Sequence, residues 1–138
     1  MKIAVIDGQG GGIGKVIIEK LRIAFIDNAI ITALGTNALA TSAMLKAGAH
    51  EGATGENAII VNAALADVIV GSIGIIAANS MLGELTPKMA LAIAESRAKK
   101  VLIPLNRCNL LVAGTKNATL LDYIDEAVAI IRALSNQM

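Results

Sequence analysis

Hydrophobic and polar positions along the chain fall into two signatures: short unbroken aliphatic runs, and stretches with apolar residues every three or four positions. The first marks strands buried on both faces, the second helices with one buried face. Lys2 to Asp7 is the first run, closed by Gly8-Gln9-Gly10-Gly11-Gly12-Ile13-Gly14. A helix to about Phe25 follows, with Ile13, Val16, Ile17 and Leu21 on one face. Ala29 to Leu34 reads as the second strand. Gly35-Thr36-Asn37 opens a helix that stops near Ala47, at Gly48. Ala49 to Ala53 is a candidate third strand, Thr54-Gly55-Glu56 a helix start, and Asn57 to Ala66 the helix. Asp67-Val68-Ile69-Val70-Gly71 is the clearest buried strand in the middle of the chain.

Ile73 to Gly83 is apolar, contains glycine and fits neither signature. Thr86-Pro87 is a cap followed by proline at the first helical position, and the helix is predicted to end in Arg97, Lys99 and Lys100. Val101 to Leu105 and Leu110 to Ala113 read as two more strands joined by Asn106-Arg107-Cys108-Asn109. The last helix begins at Thr119 with Asp122 as its capping partner. Its expected buried face is Leu120, Leu121, Ile124, Ala127, Val128, Ile131 and Leu134.

This alternation predicts an α/β protein: a three-layer, doubly wound, mainly parallel sheet, Rossmann-like, with residues 1–138 as a single domain. The strand from Ala29 is expected to flank the first on one side and the strand from Asp67 on the other, with Ala49 to Ala53 outermost. A flavodoxin-like order without that outer strand is the alternative. Four residues are too few for a parallel crossover, so Leu110 to Ala113 is expected as an antiparallel edge strand.

Composition sharpens the picture. Hydrophobic residues make up 55% of the 138 positions, yet Tyr123 and Phe25 are the only aromatics. The core is therefore built from Ala, Ile, Leu and Val, as buried parallel strands require. Twelve basic against eleven acidic residues leave +1, with no basic run longer than Lys99-Lys100. That balance argues against nucleic-acid or membrane-surface binding through charge. The uncharged stretches Asn28 to Leu45 and Val68 to Gly83 carry Asn, Ser, Thr and Gly, and neither sustains enough apolar length to span a bilayer. Cys108, the single cysteine, excludes an internal disulfide, and no cluster has metal-ligand spacing. The amino terminus is too short before its first charge for a signal peptide, so a reduced, cytoplasmic setting is expected. Ile73, Ile75, Ile76, Met81 and Leu82 add apolar surface beyond what the sheet needs, which predicts a homo-oligomer, most simply a twofold dimer.

The candidate chemistry lies in the first loop, which holds five of the thirteen glycines between a strand and a helix. Glycine lets backbone approach a ligand closely, and free amides at a helix start face an anion with the helix dipole behind them. A small phosphate-bearing molecule, most simply a nucleotide, is the expected partner. Its expected contacts are Asp7, Gly8, Gln9, Gly10, Gly11, Gly12, Ile13 and Gly14, with Thr36, Asn37 and Ser72 at neighbouring strand ends. Gly74 and Asn106 to Asn109 lie at further strand ends. Asp7 is also placed to orient the loop by accepting backbone hydrogen bonds. A magnesium triphosphate loop, and with it NTP hydrolysis, is not expected: Gln9 stands where the first glycine belongs, and Val16 replaces the hydroxyl after Gly14-Lys15.

Gly8-x-x-x-Gly12-Ile13-Gly14 resembles the cofactor loop of short-chain dehydrogenases, with Asp7 where they usually carry Thr. The resemblance covers about the first 25 residues and implies a dinucleotide-type loop, so NAD or NADP is the expected cofactor. Their catalytic Tyr with Lys four residues on has no counterpart, because Tyr123 is followed at that distance by Ala127. Nor does the second strand end in an acid for the ribose: Leu34-Gly35-Thr36-Asn37 has neither acid nor arginine. The whole chain is similar to a family of small bacterial proteins known only as a domain of unknown function. That likeness rests on Ile6 to Gly14, Ala33-Leu34-Gly35-Thr36-Asn37-Ala38-Leu39-Ala40-Thr41 and Gly52-Ala53-Thr54-Gly55-Glu56-Asn57. It implies a free-standing cytoplasmic protein and brings no activity.

His50 and Cys108 lie on separate loops, where a lone residue of either type is more often structural than catalytic. Thr54 and Glu56 most simply start a helix. Three function classes follow: a nucleotide-binding protein, in its enzymatic form an NAD(P)-linked oxidoreductase; a non-catalytic sensor or interaction module using the same crevice; or a structural homo-oligomer with an empty loop.

Overall fold

The strand Lys2–Asp7, β1, sends Ile3 and Val5 to one face of the sheet and Ala4 and Ile6 to the other, and all four are buried. A computed structural model of the chain describes residues 1–105 and 109–138. After β1 come α1 (Gly12–Ala24), β2 (Ile30–Gly35), α2 (Ala38–Lys46), β3 (Glu51–Thr54) and α3 (Glu56–Leu65). Then follow β4 (Val68–Ser72), a 3₁₀ turn over Ile73–Ile76, α4 (Pro87–Glu95), β5 (Lys99–Ile103) and α5 (Leu120–Ser135).

The strands form one five-stranded sheet in the order β3-β2-β1-β4-β5, parallel throughout. This is the expected Rossmann-like arrangement, with the Ala49 to Ala53 region supplying the outermost strand. Ile3 pairs with Ile31 on one side and Val68 on the other. The strand order reverses between β1 and β4, so a crevice opens beyond their carboxyl ends. Two apolar layers complete the core. Ile17, Ile18 and Leu21 of α1, Met44 of α2 and Ile124 and Ile131 of α5 cover one face. Ile59 of α3 and Met89 and Ile93 of α4 cover the other, with Ile75 and Leu85.

Helix starts follow their local chemistry. Asn37 caps α2 by accepting from the Ala40 amide, Thr86 caps α4 ahead of Pro87, and Thr119 and Asp122 cap α5 reciprocally. Before α3 the cap is Gly55, at φ 100°, while the Thr54 hydroxyl donates to Thr41 instead.

Four expectations need correction. The helix α4 stops at Glu95, because the Ser96 hydroxyl bonds the Ala63 carbonyl and accepts from the Ala98 amide, turning the chain into the sheet. Lys99 and Lys100 therefore belong to β5, although the Lys100 ammonium still reaches the Ser96 carbonyl at 2.6 Å. That strand starts and ends two residues early, since Pro104 has no N–H to continue the ladder. The antiparallel edge strand over 110–113 is not formed: these residues run as irregular backbone and turn, and Leu111 is 86% exposed. A four-residue run leaving a proline-terminated strand meets no partner along β5. On α5, Leu120 and Leu121 are exposed; the helix turns Ile124, Ala127 and Ile131 inward, with Val128 and Leu134 at the margin. Among the described residues no helix is long and apolar enough to cross a membrane.

Candidate functional site

Helix α1 begins at a glycine, Gly11, which has no side chain to cap it. Asp7 supplies the missing cap from the end of β1. Its Oδ2 accepts from the Gly14 amide and its Oδ1 from the Gly8 amide, each at 2.8 Å, and the side chain is buried. A carboxylate here is favoured by the positive end of the helix dipole. The loop is closed again by the Gly11 amide on the Gly8 carbonyl at 2.9 Å. Asp7 thus orients the loop in the way its position at the strand end predicts.

The five loop glycines divide into two groups. A Cβ on Gly8 would lie 2.6 Å from Thr36 Oγ1, one on Gly11 2.9 Å from the Ala40 backbone, and one on Gly14 2.5 Å from Met44 Sδ. Gly11 also sits at φ +74°, a conformation that side chains resist. Close approach of the loop to Thr36 and Met81, and of the start of α1 to α2, accounts for these three. A Cβ on Gly10 or Gly12 would meet nothing within 4 Å, and neither has positive φ. The fold does not require glycine at those two positions. Among the described residues, the amides of Gly10, Gly12 and Ile13 donate to no protein acceptor, the last two being at the open start of α1. The loop therefore offers bare, donor-rich backbone to whatever approaches from outside.

A second carboxylate closes the loop on its β2 side. Glu84 Oε1 accepts from the Gln9 amide at 2.9 Å, the Thr36 hydroxyl at 2.8 Å and the Asn37 amide group at 2.7 Å. Asn37 Nδ2 also donates to the Gln9 carbonyl, tying β2's end to the loop. The Gln9 amide and the Thr36 hydroxyl hold the Glu84 carboxyl below the usual carboxylate range; Asn37 adds to them and partial burial works against them. Thr36 and Asn37, expected at the ligand, are brought to the loop, but their donors go to Glu84. Glu84 itself escaped notice because it lies about fifty residues beyond β2 in sequence. The available signal was that it is the only charge between Asp67 and Lys88.

On the β4 side, a crevice of about 210 Å³ opens at the strand-order reversal. Asp7, Gln9 and Ile13 line one wall, Ser72, Ile73 and Gly74 the other, and Met81, Leu82 and Leu105 the rest. Ser72 is buried at the end of β4. The segment over 77–85 serves both, lending Met81 and Leu82 to the crevice wall and Glu84 to the carboxylate cluster. It carries Asn79, Met81 and Leu82 in left-handed backbone at φ 67°, 57° and 56°, a conformation that asparagine tolerates but that costs roughly 1–2 kcal/mol at each of Met81 and Leu82. Buried Leu85 and Ser80 anchor it, the Ser80 hydroxyl donating to the Gly74 carbonyl at 2.5 Å. A larger groove of about 460 Å³ runs along β5 and α5, past Lys116 and Tyr123. Volume favours that groove, but it has none of the glycine amides, and the Tyr123 hydroxyl is engaged with the Lys116 carbonyl. The crevice is the chemically equipped site.

His50 stands elsewhere, before β3: Nδ1 accepts from the Ile31 amide near the amino end of β2, and Nε2 faces Arg22. Its place is structural. Asn106, Arg107 and Cys108 lie outside the described residues, and Asn109, the described remainder of the expected fourth strand end, does not line the crevice. Among the described residues no group of three His, Cys, Asp or Glu is placed to hold a metal ion.

The family model described as "Domain of unknown function (DUF3842)" matches residues 2–136. No curated protein matches the chain. Among solved structures the chain is similar to a dodecameric FMN-dependent UbiX-like decarboxylase from Escherichia coli O157:H7, with 14% identity, a TM-score of 0.43, and coverage of 97% of this chain and 93% of that one.

Two stability outcomes follow from the loop. Gly11→Ala should cost about 1–3 kcal/mol in urea unfolding, from backbone strain and the Ala40 contact. Gly12→Ala should be neutral or stabilise by up to about 1 kcal/mol; equal losses in both would contradict the division of the glycines. For Glu84, a lowered folded pKa means stability present above the unfolded pKa and lost as pH falls through the folded one. The stability gap between wild type and Glu84→Gln should therefore shrink from neutral pH to about pH 3. A gap that stays constant or widens would show that the carboxylate is not held as described.

Proposed function

Since this chain belongs to the family described as a domain of unknown function (DUF3842), whose description names no activity, we propose from the geometry that it binds a nucleotide or dinucleotide of the NAD(P) type. The ligand would lie across the carboxyl ends of β2, β1 and β4. The observation that carries this reading is the pair Gly10 and Gly12: glycines without a packing or backbone reason, beside amides with no protein acceptor. Bare backbone at a helix start is what a phosphate needs for close approach. The apolar crevice between Ile13, Ile73 and Leu105 has room for one ring system, and the rest of the ligand would lie along the open loop.

Among the described residues lining the crevice, Asp7 is the only titratable side chain, and its oxygens hold two amides. That favours a binding or sensing role over acid–base chemistry by the chain itself. An NAD(P)-linked oxidoreductase is the enzymatic form in which the cofactor supplies the reactivity. NAD, NADP, ATP and FAD added separately test the proposal through thermal unfolding. At a hundred times its dissociation constant a ligand stabilises by about 2.7 kcal/mol. Gly12→Val should leave the ligand-free midpoint close to wild type and remove the shift. No shift with any ligand at millimolar concentration, or a full shift in the variant, would overturn the placement.

We also infer a twofold homodimer. Of the apolar residues expected as surplus surface, Ile75 is buried in the core and Ile73 and Met81 are half-buried. Ile76, at the end of the 3₁₀ turn, is 39% exposed and Leu82 96% exposed, which leaves apolar surface that a second copy would cover. Light scattering at micromolar concentration should give twice 14.1 kDa, and Ile76→Glu should return the monomer; a wild-type mass of 14.1 kDa would refute the dimer.

A further inference from the structure

We propose that Glu84 reads the ribose of the bound nucleotide, accepting its hydroxyl and so admitting a free 2′-hydroxyl while rejecting a 2′-phosphate. This rests on the nucleotide reading above and adds to it the residue that selects between cofactors.

In sheets of this order, the group that meets the ribose stands just beyond the end of the second strand, and an acid there favours the hydroxyl. The strand itself brings none: β2 ends at Gly35, and Thr36 and Asn37 follow. The fold delivers a carboxylate to that place from another element. Glu84 comes from the segment between β4 and α4 and is hydrogen-bonded to both Thr36 and Asn37. All three donors meet one oxygen, Oε1. None of those bonds uses Oε2, and the side chain is only partly buried, which leaves a fixed acceptor oxygen beside the loop.

The charge is fixed as well as the position. No salt bridge pairs Glu84 with a cation among the described residues, and the groups that hold it are an amide, a hydroxyl and a carboxamide. A 2′-phosphate arriving there would face an uncompensated carboxylate, with Asp7 as a second negative group at the same loop. Like charges brought together in a binding site are strongly unfavourable. The left-handed residues Asn79, Met81 and Leu82 just before Glu84 fit this reading, since such backbone persists where its surroundings hold it in place. A glutamine could accept the same donors through its carbonyl oxygen, though more weakly, so Glu84→Gln removes the charge and the free acceptor oxygen while keeping a tie between loop and strand.

Titration calorimetry with NAD, NADP and 2′-deoxy-NAD, on wild type and Glu84→Gln, tests the assignment. Wild type should bind NAD on the order of tenfold or more tighter than NADP, and should bind 2′-deoxy-NAD more weakly than NAD. In Glu84→Gln the preference for NAD over NADP should fall toward parity. Equal affinity of wild type for NAD and NADP, or an unchanged ratio in the variant, overturns the ribose assignment while leaving the nucleotide site standing. If none of the three ligands binds at millimolar concentration, the nucleotide site fails and the assignment with it. The wild-type ratio decides even where the variant does not fold.

Discussion

The bridge that Asp7 makes between the Gly8 and Gly14 amides is the interaction on which the rest of the site depends. A helix that begins with glycine has no side chain to satisfy its first amides. By taking the third of them, Asp7 lets α1 start directly at the carboxyl edge of the sheet with Gly10, Gly12 and Ile13 turned outward and unspent. The start of α1 also lies against α2, where only glycine fits at position 11. A neutral residue at position 7 would leave a buried amide unpaired and the turn without its brace.

Around this brace the chain sets two unlike surfaces. Toward β4 lies an apolar crevice; toward β2 a carboxylate is clamped by an amide, a hydroxyl and a carboxamide. Between them runs backbone rich in donors. A ligand matching all three has an apolar ring, an anionic centre and a hydroxylated sugar, in that order. The segment over 77–85 makes the arrangement possible. It anchors Leu85 in one core layer, places Met81 against Gly8 and hands Glu84 across to β2. Its left-handed residues are what that route costs in backbone conformation.

Most of the fold was legible in the sequence because its signals are local. Aliphatic runs marked β1, β2, β4 and β5, while β3, Glu51-Gly52-Ala53-Thr54, was legible only as a short candidate. Thr86-Pro87 and Thr119 with Asp122 marked helix starts, and the alternation implied the strand order. Failures came where tertiary contacts outweighed local ones. Ser96 ends α4 through a bond to Ala63, on another helix, which no local pattern reveals. Leu110 to Ala113 has strand-like residues but no partner edge to pair with. At the site, the glycine loop and Asp7 were legible, being contiguous. The separation of its glycines into packing-required and open ones was not, because it depends on Thr36, Ala40 and Met44 facing them. Glu84 was invisible for the same reason: its meaning comes from residues brought beside it by folding.

Whether the open amides at the start of α1 receive an anionic ligand is a question amide-resolved NMR answers directly. On titrating ¹⁵N-labelled protein with NAD, the account expects the largest shifts at Gly10, Gly12 and Ile13, with smaller ones at Gln9 and across the crevice at Ser72 and Ile73. Shifts centred instead on Lys116, Tyr123 and the β5 groove, or no shifts at the loop, would contradict it.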